Sequence, residues 1–101
     1  MKSALRRARP IPGPHDILAV VGTKYGVSPE RLLGRVGWGL AARNVAMWLV
    51  WERCELSLAE IGRLFGGLDY AAVAQRIRRV QLDFSPAARR QLIAQMSNVK
   101  I

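Results

Sequence analysis

One hundred and one residues make one domain, long enough to bury a core without disulfide staples. Half are hydrophobic, which excludes a disordered chain, and 16 Lys+Arg against 7 Asp+Glu leave a net charge of +9. Thirteen of those cations are arginine, whose planar fork suits phosphates and base edges, so the balance favours a polyanion: DNA, RNA or an acidic membrane surface.

In chain order, residues 1–14 hold Lys2, Arg6, Arg7 and Arg9, then three prolines and a glycine within five positions; this composition predicts a flexible basic arm. Its positive start resembles that of a signal peptide, but PIPGPHD stands where an apolar segment is required. The longest apolar run, residues 45–51, is too short to cross a bilayer, so a soluble cytoplasmic protein is expected. The helical domain is expected over 15–101. Ile17, Leu18, Val20 and Val21 give an apolar face to a first helix that stops near Gly26. In SPERLL, Ser28 is an N-cap and Pro29 occupies the first helical position, where its missing N–H costs nothing. Ile17, Leu32 and Leu33 read as core, and a glycine-rich loop carrying Trp38 follows.

Residues 40–54 form the most apolar stretch. Val45, Trp48 and Leu49 make one stripe, and Ala46, Met47, Val50, Trp51 and Cys54 cover most of the rest, as in a central helix packed by several neighbours. Trp48 and Trp51 are expected in the core, and the single cysteine as a small apolar packing residue. Ser57 and Glu60 then spell a capping box, with Leu56 and Ile61 as its hydrophobic staple. That helix carries Ile61, Leu64 and Phe65 inward and stops at Gly66-Gly67, where a left-handed turn is cheap. Asp69 caps the next helix, with Leu68 and Val73 as a second staple. Helix, glycine turn, helix is the spacing of a helix-turn-helix. A last helix begins at Ser85-Pro86 and runs to about Ser97, and no segment alternates with period two, so the fold class is all-α.

At 100° per residue, Val73, Ile77 and Val80 share the buried face of the second motif helix. Opposite lie Ala71, Gln75, Arg78 and Arg79, with Tyr70 and Ala72 on the flanks near its start and Arg76 to one side. A short Ala71 permits close approach and contact with a thymine methyl; Gln75 suits adenine, and Arg78 suits guanine or phosphate.

RNVAMWLVWERCELSLAEIGRLFGGLDYAAVAQRIRRVQ, residues 43–81, resembles the C-terminal DNA-binding domain of the bacterial chromosomal replication initiator, DnaA. It is also similar to the related domain appended to some REP-associated tyrosine transposases. The resemblance rests on Arg43 followed by Ala46-Met47, then SLAEIG, FGG and Asp69 opening a helix, and with VGTKYGVSPERLL it spans about residues 17–81. It implies a Trp-repressor-like helical domain that places its second motif helix in the major groove of double-stranded DNA. By that carry-over Asp69, Tyr70 and Ala71 read bases, Arg35 reaches the minor groove, and Arg43, Arg63 and Arg78 hold the backbone. Association with a transposase or with replication machinery is implied in the same way. Two departures stand out: Asp69-Tyr70-Ala71-Ala72 replaces the usual Asp-His-Thr-Thr, and GRVGWG replaces the basic loop. Tyr70 and AVAQRIRRV look closer to the transposase-linked version.

Catalysis finds little footing. No G-x-x-x-x-G-K-[ST] loop occurs, and His15, read as a helix-opening residue, cannot supply the histidine pair of a metal-dependent tyrosine transposase. Neither cofactor, metal nor small-molecule substrate is expected. Two further readings use the same basic face: an RNA binder, with Tyr70 and Trp38 as its aromatics, and a protein-interaction module whose charge steers an acidic partner.

Overall fold

The computed structural model describes residues 13–34 and 41–96. The basic arm up to residue 12, the loop holding Arg35 and Trp38, and the last five residues lie outside the described residues. Six helices, and no strand, occur among the described residues: α1 Pro14–Tyr25, α2 Pro29–Leu33, α3 Ala41–Arg53, α4 Leu58–Leu64, α5 Tyr70–Asp83 and α6 Pro86–Met96. The fold is all-α.

Local chemistry sets most helix ends. Ser28, Ser57, Asp69 and Ser85 each accept a backbone N–H three residues on through the side-chain oxygen. Gly13 and Pro14, grouped with the arm by composition, instead begin the first helix: Gly13 is its N-cap and donates to Asp16 Oδ2 at 3.0 Å. Glycine has no side chain to return that bond, so only half of a capping box forms. Gly26 ends α1 in the left-handed conformation, φ 68°.

The core surrounds α3, which packs against α1, α2, α4 and α5. Every residue from Val45 to Val50 is buried, because helices press on the segment from several sides. Ile17, Leu18 and Val21 meet it from α1, Leu32 from α2, Ile61 and Phe65 from the motif's first half, and Val73, Ile77 and Val80 from α5. Leu33 and Val20 are only half-buried at the margin of this core. Trp51 corrects the expectation of a second buried tryptophan: it is 39% exposed and shares the uncovered end of α3 with Glu52. Cys54 packs as expected, and burial pushes its thiol up to about 11.

The reversal between α4 and α5 is the tightest feature. Gly66 and Gly67 both have φ 85°, a left-handed backbone that side-chain-bearing residues avoid. The amides of Gly67 and Leu68 both donate to the Gly62 carbonyl at 2.9 Å. The returning chain crosses Gly62 so closely that a Cβ there would collide with the Leu68 backbone carbonyl and press on Val73 Cγ2 at 3.4 Å. At the N-terminal end of α4 the capping box is complete: Glu60 N donates to Ser57 Oγ at 3.1 Å, and Ser57 N donates to Glu60 Oε1 at 2.8 Å.

Gly62→Ala is expected to lose about 1–3 kcal/mol through that collision, and Gly67→Ala about 1–2 kcal/mol through left-handed strain alone. Urea unfolding followed by circular dichroism reads both; an unchanged midpoint for Gly62→Ala would refute the close approach. The Ser57 hydrogen bonds hold the Glu60 carboxyl below its ordinary 4.5. A depressed folded-state pKa contributes stability that is present above 4.5 and lost as pH falls through the lower value. The melting temperature of the parent should therefore fall more between pH 6 and pH 3 than that of Glu60→Gln, and equal falls would remove this role.

Candidate nucleic-acid interface

The exposed side of α5 follows from its buried side. Val73, Ile77 and Val80 are held against α3 and α4, so Ala71, Gln75, Arg78 and Arg79 project outward at helical spacing. The helix has 14 residues, about 21 Å at 1.5 Å per residue, long enough to lie in a major groove. Tyr70, at its first turn, is 66% exposed.

Asp69 is exposed, and its Oδ1 accepts from Ala72 N at 2.8 Å, which fixes the carboxylate beside the first turn of α5. One oxygen thus caps the helix on a residue that stays exposed. Gln75 and Arg78 are exposed on the same side, one and two turns further on. Arg79 Nε meets Asp83 Oδ2 at 3.2 Å, an exposed i,i+4 pair that solvent screens and that an anionic partner can displace. Arg63 is exposed in the last turn of α4, on the first helix of the motif.

Arg43 departs from its sequence-based role. The residue is 3% exposed, and its Nη2 donates to the Phe65 carbonyl at 2.9 Å, with the guanidinium 6.0 Å from the Phe65 ring centre. Burial first, and the neighbouring Arg76 charge second, pull its pKa below the ordinary arginine value. In this position Arg43 ties α3 to Phe65, the residue that ends α4 just before the glycine turn, so its described contact is a structural one. Arg35 lies outside the described residues.

A groove of about 490 Å³ runs beside this face, between α3 and α5, lined by Ala41, Asn44, Gln75, Arg76, Arg79 and Asp83 among others. Arg76 Nη1 reaches Asn44 Oδ1 across it at 3.5 Å. The sequence reading left both residues out of the site. The available signal was Asn44 itself, a polar residue at the start of an otherwise apolar helix.

Among the described residues no group of three or more His, Cys, Asp or Glu could hold a metal ion, and no helix is long and apolar enough to cross a membrane. A capped pair of short helices reversed over Gly62, with an arginine-bearing second helix exposed, defines a helix-turn-helix DNA-binding domain.

Comparison with known proteins places it further. Residues 14–80 match the bacterial DnaA protein helix-turn-helix, and the chain belongs to this family. It is similar to the chromosomal replication initiator protein DnaA of Thermus thermophilus, at 41% identity over 70 residues covering 67% of this chain and 16% of that protein. The initiators of Corynebacterium jeikeium (34%, covering 71% of this chain and 13% of the relative) and Cutibacterium acnes (33%, 85% and 17%) are similar over the same kind of span. The chain thus spans about one-sixth of the length of these curated relatives.

Arg43→Ala should destabilise the fold by about 1–3 kcal/mol, since the buried Phe65 carbonyl loses its donor. Chemical denaturation measures this. A stable variant whose only defect is weaker, less salt-sensitive DNA binding would return Arg43 to the surface role.

Proposed function

We propose that this chain is a sequence-preferring reader of double-stranded DNA that lays α5 in the major groove. The observation that carries the reading is the outward face of α5, where Ala71, Gln75 and Arg78 stand in helical register behind a rigid, doubly capped glycine turn. Asp69, Tyr70, Ala71 and Gln75 are the base-reading set. Ala71 leaves room for close approach to a thymine methyl, Gln75 offers the paired donor and acceptor that adenine needs, and the exposed Asp69 carboxylate can accept from a cytosine amine. Arg63, Arg78 and Arg79 hold the backbone, where a charge-assisted bond to phosphate positions the domain without selecting sequence. Arg35 and the basic arm are assigned a minor-groove and a non-specific electrostatic role by resemblance and charge.

The initiators named above share this domain, so a replication-initiator-like or transposon-related role is the one proposed, with binding rather than catalysis as the activity. Such a role places the chain with DNA in the cytoplasm. The net charge of +9 raises the association rate with a polyanion and makes binding sensitive to salt.

Selection from a randomised duplex pool at two salt concentrations, followed by sequencing, tests the reading: a short motif should survive at the higher salt. Ala71→Leu or Gln75→Ala should shift preference at one base pair by about 1–3 kcal/mol. An Ala71→Leu protein that recovers the parent's motif with the parent's affinity would remove α5 from the role of reader.

A further inference from the structure

The groove between α3 and α5 holds more positive charge than the fold uses. Arg76 enters it from α5, half-buried, and among the described residues its hydrogen bond goes to Asn44 Oδ1 at 3.5 Å, the outer limit for such a contact. No carboxylate pairs with Arg76 among the described residues. The acid that lines the groove, Asp83, is already engaged by Arg79. Arg43 stands behind, close enough for the two arginines to repel, with its own donor committed to Phe65. The Nε atoms of both Arg43 and Arg76 are buried without a hydrogen-bond partner among the described residues. Among the described residues the groove is lined by two guanidinium groups, Arg76 and Arg79, and one carboxylate, Asp83.

The groove is wide enough to admit an anionic group. Ala41 and Ala72 are too short to fill the space between the helices, which leaves about 490 Å³ open. Gln75 belongs both to the groove and to the base-reading face. A duplex read by α5 therefore carries one of its strands past this opening.

We infer that the α3–α5 groove seats one backbone phosphate of the bound duplex, with Arg76 as the clamping residue and Asn44 as its flanking donor. The phosphate takes the place at Arg76 that no carboxylate among the described residues fills, and it relieves the repulsion between Arg76 and the buried Arg43. Asn44, bonded to Arg76 in the unbound chain, can release its oxygen and present its amide to the same anion. This inference rests on the duplex-binding reading above and assigns a contact to a residue outside its base-reading and backbone sets.

The test is the salt dependence of binding to a short duplex recovered by the selection, with parent, Arg76→Gln and Arg76→Lys. Loss of one phosphate contact should reduce the slope of log K against log salt by about 0.9 for Arg76→Gln, with the sequence preference unchanged, while Arg76→Lys keeps the slope. A scan of the duplex with neutral methylphosphonate links guards against a folding defect. The parent should lose affinity at one link to which Arg76→Gln is insensitive. If Arg76→Gln keeps the parent's slope and its sensitivity at every link while Arg78→Ala loses slope, duplex binding stands and the groove assignment falls. Inorganic phosphate that shifts the Asn44 amide resonances, without any change of slope in Arg76→Gln, would also overturn it, because the site would then take free anions only. A parent that shows no salt-dependent duplex binding overturns the function proposed above and this contact together.

Discussion

The carbonyl of Gly62 accepts two amides from the chain that returns over it, and that pair of hydrogen bonds fixes the angle between α4 and α5. The arrangement works only because three glycines cooperate. Gly62 removes the side chain that would block the crossing, and Gly66 and Gly67 supply the left-handed backbone that turns the chain toward it. Once the crossing is made, Leu68 and Val73 are delivered to the core and α5 has one orientation open to it. The outward direction of Ala71, Gln75 and Arg78 is thus a consequence of a backbone contact on the opposite side of the motif.

A second tie holds this unit to the rest of the domain. Arg43, on the central helix, gives its Nη2 to the carbonyl of Phe65, the residue at which α4 ends. Burying an arginine is costly unless its charge is hydrogen-bonded and compensated, and here the neighbouring Arg76 adds repulsion instead of relief. Such a cost is tolerated where it positions something. Arg43 joins the turn to α3 on one side of the motif, and on the other α3 and α5 enclose the charged groove.

The division of labour along α5 is equally physical. Its three buried residues, Val73, Ile77 and Val80, supply the packing that holds the helix, while Gln75 and Arg78 on the opposite side remain exposed. An exposed arginine such as Arg78 contributes little to folding, because water screens its charge. That is the condition under which charge is most useful to a partner, since it need not be stripped from internal partners before binding.

Most of the architecture was legible in the chain because it is written in local rules. Ser28, Ser57 and Asp69 cap helices by bonds that span three residues, Gly26 and Gly66-Gly67 mark left-handed ends, and the period of Val73, Ile77 and Val80 names the buried face of α5. Such signals need no knowledge of distant segments. Trp51 was misread for the opposite reason: an apolar helix does not say which of its edges its neighbours leave uncovered. Arg43 and Arg76 were also opaque, since a sequence cannot show that residues 22 and 32 positions away, through Phe65 and Asn44, decide where a guanidinium points. What the sequence by itself determined was the helices, their caps, the turn and the charged face, all set by interactions within one or two turns. Only the tertiary structure decided the crossing over Gly62, the burial of Arg43 and the groove at Arg76, because each depends on which segments meet in space.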